Sequence, residues 1–316
     1  MRISSKNKNG DVMKIGLPQA LLYYRYSTLW ETFFGELGCE VILSGKTDQE
    51  VLARGESLSD SECCLPVKAY LGHVARLARN CDYILAPRFE RLAANEEFCV
   101  RFWGITDVVR GTFPGARVLS YNLQGQKAGS ELMGFMGLGK ALGKSRGRTL
   151  RAYRRAKQAQ LAADIRAVSE QNQLFGEPGL KVLVAAQPYI AHDVYIGGPL
   201  LGFLREQGAI PIFADLCDRA PCRKKSGELS ASLYWTMNKE IIGAIGLVGP
   251  QIDGVILVSA FPCGTDSLVN ELILRRVKDI PITQIILDGQ QGEAGLQTRI
   301  ESFLDIIKER KHGNAS

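Results

Sequence analysis

Two hydrophobic rhythms alternate along this chain. Short, nearly continuous apolar runs occur at 13–17 (MKIGL), 39–44 (CEVILS), 82–88 (DYILAPR) and 116–122 (ARVLSYN), and again at 181–186 (KVLVAA), 209–215 (AIPIFAD), 253–261 (DGVILVSAF) and 282–288 (ITQIILD). Between them lie longer stretches whose apolar residues recur every three or four positions, such as 21–38 (LLYYRYSTLWETFFGELG) and 199–208 (PLLGFLREQG). Runs with no polar face predict strands buried on both sides, and the helical spacing predicts the layers that cover them. The two halves open alike. From the Pro after the first strand to the Gly that stops the helix is 20 residues in both, Pro18 to Gly38 and Pro188 to Gly208, and each copy has a Tyr soon after its Pro, Tyr23 and Tyr189. Both halves therefore begin with a βαβ unit.

The pattern predicts an α/β protein of two doubly wound, Rossmann-like parallel-sheet domains, joined by a helical bridge, with a site in the interdomain cleft. The predicted segments are a flexible N-terminus (1–11), a first α/β domain (12–129), a basic helical bridge (130–177), a second α/β domain (178–309) and a flexible C-terminus (310–316). A length of 316 residues is enough for two such cores. Hydrophobic content of 46% with 23% charged residues matches an ordinary globular protein. The apolar run IIGAIGLVG (241–249) is far too short for a bilayer, and MRISSKNKNGD has no apolar signal core, so neither membrane nor export is expected. Eight cysteines without an export signal then predict a reducing cytoplasm, not a disulfide framework.

The net charge of +6 is local. Residues 140–166 hold nine Lys/Arg and one acid, Asp164; setting these aside leaves 30 basic against 32 acidic residues of the original 39 and 33. The basic excess is one helix face, read either as a solvated surface or as a docking face for an acidic protein or phosphorylated ligand. No recognition motif or interleaved aromatics point to nucleic acid. There is no GxGxxG after a strand and no GxxxxGK[ST], so no bound nucleotide is expected.

Three dispersed cysteines carry the candidate chemistry. Cys263 follows the strand at 253–261 in a Pro-Cys-Gly turn, Cys99 lies on the loop beyond 82–88, and Cys64 precedes Leu65-Pro66, where Pro suits a helix first turn. In open α/β sheets ligands bind beyond the carboxyl ends of the strands. Three thiolates meeting there would leave one position open on a four-metal cluster; packed as small hydrophobes, the same residues would be inert. Cys39 and Cys81 begin strands, Cys63 must face away from its neighbour, and Cys217 with Cys222 reads as structural. Further candidates are His192 and Asp193, as a proton-transfer pair on the first loop of the second domain, and Asp266 and Ser267, as hydrogen-bonding partners of a cluster or, more simply, as caps of the helix after Cys263. His73 reads as a packed histidine.

Several segments carry a family resemblance: KIGLPQALLYYRYSTLWETFFGELGCEVILS, SECCLPVKAYLGHV (an E-x-C-x-P-x-K pattern that selects Cys64, not Cys63), FCVRFWGITDVVR, SAFPCGTDSLVNELI and EAGLQTRIESFLDII. In this order they resemble the 2-hydroxyacyl-CoA dehydratase and activase-related proteins, specifically the DUF2229 branch, nearly end to end. The resemblance implies a 4Fe-4S cluster on Cys64, Cys99 and Cys263, with cubanes paired in one related group. It implies low-potential electrons from an ATP-dependent activase of the ASKHA type, and an anaerobic setting. It also implies an acyl-CoA or another small molecule as substrate, and a homodimer or a heterodimer with a related subunit. A lyase of the dehydratase kind, a cluster-based reductase, a non-catalytic electron relay or accessory subunit, and a cluster-free interaction protein all remain open. The chain departs from the pattern at Asp288-Gly289-Gln290-Gln291, where the family has an acidic residue and a His, and at Val100, where a Pro is common.

Overall fold

The computed structural model describes residues 12–93, 95–125, 129–289 and 293–313. The expected N-terminal tail, the last three residues, and Gln290 with Gln291 lie outside the described residues. The chain divides into two compact units, 1–165 and 166–316.

In the first unit, β1 (Lys14–Leu17) leads to α1 (Tyr23–Glu36) and β2 (Glu40–Leu43). Gly38 ends the helix in the left-handed region, φ 74°, which a side chain would resist. β2 then lies parallel to β1, Lys14 opposite Glu40. Helices α2 (Gln49–Ser57) and α3 (Leu65–Leu77) precede β3 (Tyr83–Leu85), β4 (Arg88–Ala93) and β5 (Glu96–Glu97); α4 (Val100–Thr112) precedes β6 (Val118–Leu119) and β7 (Asn122–Gln124). The main sheet has the order β2-β1-β3-β6, all parallel.

The runs at 82–88 and 116–122 are each two strands, not one as the sequence predicts. On this side the ladder runs past Pro87, with the N–H groups of Ile84, Ala86 and Arg88 donating in turn to the carbonyls of Arg117, Leu119 and Tyr121; the N–H that Pro87 lacks would face the opposite side of the strand. The register is continuous: Leu85 faces Leu119 and Arg88 faces Asn122, the same offset. Beyond Pro87 the chain builds a second sheet, β5-β4-β7, through a β4–β5 hairpin that the pattern does not predict. That hairpin delivers the chain to Cys99. Under the sheets, Phe33 meets Phe135 edge-on at 4.7 Å, and the indole N–H of Trp30 donates to the Tyr121 hydroxyl at 3.0 Å.

The segment 130–177 contains α5 (Ser130–Ala141) and the long α6 (Arg146–Leu174), within which the division between the units falls. Part of the basic face is tethered locally: Arg155 pairs with Glu36 at 2.7 Å and Lys157 with Glu131 at 3.0 Å. The buried Gln160 accepts from the Leu29 N–H and donates to the Arg25 carbonyl, anchoring the helix within the first unit.

The second unit runs β8 (Leu180–Ala185), α7 (Pro188–Ala191), α8 (Gly198–Glu206), β9 (Ala209–Phe213), α9 (Arg219–Leu229), α10 (Thr236–Val248), β10 (Gly254–Ala260), α11 (Gly264–Arg276), β11 (Ile282–Leu287) and α12 (Glu293–Gly313). Its sheet, β11-β10-β8-β9, is again wholly parallel. Counted along each unit, both sheets have the order 2-1-3-4, so the strand order reverses between the first and third strands in both. Gly208 repeats the left-handed stop of Gly38, at φ 72°. All seven residues of β10 are buried, as a central strand covered on both faces requires. No helix among the described residues is long and apolar enough to cross a membrane.

Candidate functional site

Cys64, Cys99 and Cys263 share one local structure. Each is the N-cap residue of a helix of 13 residues: Cys64 of α3, Cys99 of α4, Cys263 of α11. Each side chain is half-buried. A helix that leads into the next strand of a parallel sheet must run back against the strands, so its N-terminus lies at their carboxyl edge. All three cysteines therefore sit at the carboxyl edge of their own sheet. A thiolate there gains from the first-turn N–H groups and the positive end of the helix dipole. The Cys99 sulfur already accepts from the Arg101 N–H at 3.5 Å.

Within the first unit the caps of α3 and α4 are joined. Arg101, in the first turn of α4, donates from its guanidinium to the Glu62 carbonyl, two residues before Cys64, at 3.0 Å. The neighbouring Cys63 is 5% exposed, and burial pushes its thiol above the ordinary value although the Arg101 charge opposes this. The adjacent pair thus splits as the sequence predicts, one thiol inward and one half-exposed. Cys39, Cys217 and Cys222 are buried; the hydrogen bond that the Cys222 thiol donates to Cys217, then burial, raises Cys222 far above a working thiol. His73 is fully buried against Thr47, at 3.0 Å.

The same carboxyl edge of the first unit carries a small apolar pocket, open to solvent, whose cavity volume of about 20 Å³ has room for little more than a water molecule. It opens between the ends of β1 and β3, where the strand order reverses, and is lined by Leu17, Pro18, Leu85 and Phe89 together with Tyr70 of α3 and Phe102 of α4. The helices capped by Cys64 and Cys99 thus also wall this pocket.

Around Cys263 the sequence expectations need correction. Asp266 and Ser267 do not cap the helix, because α11 starts at Gly264 with Cys263 as its cap. Asp266 is instead 4% exposed, and its Oδ1 accepts from the side-chain amides of Gln187 and Asn238, both at 2.9 Å. Burial pushes its carboxyl up, and hydrogen bonds from Gln187, Asn238 and Cys263 work against that. The Ser267 hydroxyl donates to the Cys263 carbonyl at 2.7 Å, and the Cys263 sulfur lies 3.4 Å from the Thr265 hydroxyl.

His192 and Asp193 do not form a pair. The Asp193 carboxylate is used locally, accepting from the N–H groups of Tyr195 and Ile196 at 2.9 Å each. The partner of His192 is Asp215, with Nε2 to Oδ2 at 2.9 Å, and the ring packs on Phe213. Burial lowers the His192 pKa, but the charge and hydrogen bond of Asp215 outweigh it, so the net direction is upward. Both residues follow strands of the second sheet, at its carboxyl edge. The sequence gives no sign of Asp215, Gln187 or Asn238: 23 residues separate His192 from Asp215, and 28 separate Asn238 from Asp266.

Among the described residues no group of three or more His, Cys, Asp or Glu side chains is gathered to hold a metal ion. Cys64 and Cys99 belong to the first unit and Cys263 to the second. As a donor set, three half-exposed cap thiols suit iron and sulfide, whereas no local CxxC or Cys–His cluster offers a closed zinc site. A family model described as "CoA enzyme activase uncharacterised domain (DUF2229)" matches residues 14–217. The chain belongs to this family. Cys64 and Cys99 fall inside the matched residues of the DUF2229 domain, and Cys263 falls beyond them. Among curated proteins no match is found. Among solved structures, the SBP FpvC from Pseudomonas aeruginosa in complex with Mn2+ matches 93% of this chain and 98% of its own, with 12% identity and a TM-score of 0.31. Its Ni2+ complex matches 95% and 97%, with 11% identity and a TM-score of 0.30. At these TM-scores the α/β assignment rests on the two parallel sheets themselves.

Proposed function

We propose that this DUF2229 protein is an iron–sulfur protein in which Cys64, Cys99 and Cys263 hold a 4Fe-4S cluster. The cluster receives low-potential electrons from an ATP-dependent activase and uses them for reductive or radical chemistry on a small molecule of the acyl-CoA kind. One observation carries the reading: the three cysteines singled out by the family resemblance, and no other cysteine, are half-exposed N-caps of full-length helices. The cap N–H groups favour the thiolate that iron requires. When bound, the cluster supplies one-electron chemistry. The chain's own residues supply the rest. His192, held at Nε2 by Asp215, can take or give a proton at its other ring nitrogen. A reducing cytoplasm is the setting that keeps such thiols intact.

A second reading, an electron relay or accessory subunit without turnover, is favoured by Asp288-Gly289-Gln290-Gln291, where the acid and His of the family are missing.

Purification without oxygen, with iron, sulfide and visible absorption measured, tests the proposal. About four irons per chain, lost in Cys64→Ala, Cys99→Ala and Cys263→Ala but kept in Cys217→Ala, is the expected result. A colourless wild-type protein after reconstitution with iron and sulfide would overturn it. Reduction by the activase and ATP, with acyl-CoA turnover followed separately, then divides the enzyme from the relay.

A further inference from the structure

At the carboxyl edge of the second sheet, where the strand order reverses between β8 and β10, three polar side chains are almost fully buried: Gln187 at 2%, Asp266 at 4% and Asn238 at 5% exposure. They come from three separate places, the turn after β8, the first turn of α11 and the first turn of α10. Both amides converge on one oxygen of Asp266, Oδ1, at 2.9 Å. The other oxygen, Oδ2, and Gln187 Oε1 have no partner of full hydrogen-bond geometry among the described residues. The Cys263 thiol, three residues before Asp266, is a further hydrogen-bonding neighbour of the carboxylate.

Such an arrangement is costly. A buried acceptor left without a donor keeps its full desolvation penalty, and apolar residues of the same volume would pack here without that loss. Capping does not explain it either, since Cys263 holds the cap position and Asp266 Oδ1 accepts from the two side-chain amides. What the two amides achieve is to fix the carboxylate in the first turn of α11, three residues after Cys263, with Oδ2 left as a rigid acceptor. Ser267 and Thr265 complete the setting, the first on the Cys263 carbonyl and the second on its sulfur.

We infer that Gln187 and Asn238 clamp Asp266 as a positioning residue for Cys263, fixing the sulfur's direction and the polarity around it. Asp266 acts through Cys263 and is not itself assigned contact with substrate. The consequence for a bound cluster rests on the proposal above, because hydrogen bonds to ligand sulfur tune reduction potential. The restraint on the Cys263 side chain does not rest on it.

Asp266→Asn tests both. It keeps the shape, lets Oδ1 go on accepting from the clamp, and replaces the orphaned acceptor Oδ2 with an N–H donor. In metal-free protein, iodoacetamide labelling of Cys263 is read by mass spectrometry against Cys99 in the same sample. The Cys263-to-Cys99 ratio is expected to change several-fold in Asp266→Asn and in Asn238→Ala, with circular dichroism unchanged. In iron-loaded protein, the midpoint potential of Asp266→Asn is expected to move upward, since a donor to sulfur favours the reduced cluster. If wild type loads iron but ratio and potential both stay put in Asp266→Asn, the inference is overturned and the cluster proposal stands. If wild type loads no iron, the cluster proposal falls, and the labelling ratio alone decides whether Asp266 positions Cys263. Should Asp266→Asn fail to fold, the Asn238→Ala labelling ratio decides: no change from wild type overturns the inference.

Discussion

The Arg101 guanidinium donates to the Glu62 main-chain carbonyl at 3.0 Å, and this bond ties the first turn of α4 to the approach of α3. It links the two segments that carry Cys99 and Cys64, which are otherwise 35 residues apart in sequence. A charged donor to a main-chain carbonyl, half-exposed as Arg101 is, contributes about 1 kcal/mol. Arg101→Met keeps the aliphatic stem and removes the donor. We expect a stability loss of that order in urea titrations. We expect a larger effect on function, with less iron retained per chain after reconstitution, because the two caps are no longer held in register. Iron content equal to wild type would show that the tie does not serve Cys64 and Cys99 jointly.

The His192–Asp215 pair gives the second unit a pH dependence of known sign. The folded His192 pKa lies above the usual 6.5, with burial opposing and the charge and hydrogen bond of Asp215 prevailing. Raised in the folded state, it stabilises the fold fully below the unfolded value, and that stabilisation is lost as pH rises through the folded value. The stability difference between wild type and His192→Gln is therefore expected to be largest near about pH 5.5 and to shrink toward about pH 9. Urea titrations across that range check it. Asp215→Asn should follow the same course, and a difference independent of pH would show that His192 is held neutral.

The sheets were legible because buried parallel strands leave continuous apolar runs, and Gly38 and Gly208 marked where each first helix must stop. Pro87 also stood in the sequence, but that pairing would run on past it depended on Tyr121, the partner of Arg88 and 33 residues from it. The hairpin before Cys99 was not legible, since RFERLAANEEF alternates too little to read as two strands. At the candidate site, local sequence placed Cys64 at a helix start through Leu65-Pro66 and set Cys263 in a turn. It could not show that all three cysteines are N-caps, because that depends on where each helix begins. The same limit misplaced Asp266, which became a buried acceptor once α11 began at Gly264. Asp215, Gln187 and Asn238 left no trace, because their meaning comes from partners brought together by the sheet order.

The eight thiols fall into two classes of reactivity. The hydrogen bond that Cys222 donates to Cys217, then burial, raises Cys222; burial raises Cys63; and Cys81 is pushed up to about 11, chiefly by burial. Cys39 and Cys217 are shielded. In metal-free protein, iodoacetamide at about pH 8 is expected to reach Cys64, Cys99 and Cys263 first, and mass spectrometry of timed samples gives the order. Iron loading should protect these three and leave the order of the rest unchanged. Early modification of Cys222 would contradict the buried environment of α9.

Two glycines set how closely α2 and α3 cross, and with them where α3 presents Cys64. A Cβ on Gly55 would lie 1.8 Å from the Lys68 carbonyl oxygen, and one on Gly72 would lie 1.9 Å from that of Val51. Both obstacles are backbone, so neither helix can yield by moving a side chain. Gly72→Ala must push the helices apart, and overpacking of this kind costs about 1–3 kcal/mol. Gly104, in the interior of α4, has nothing within 4 Å of its would-be Cβ. Gly104→Ala should therefore stabilise by about 0.4–1 kcal/mol, through the smaller entropy of the unfolded chain. Thermal melts should move in opposite directions for the two variants, by about 2–4 °C per kcal/mol for a unit of this size. Because α3 carries Cys64 at its N-terminus, Gly72→Ala is further expected to lower iron retention beyond its effect on stability. Gly104→Ala, on the helix capped by Cys99, should leave retention intact. Equal melts for Gly72→Ala and wild type would mean that α2 and α3 do not cross at this distance.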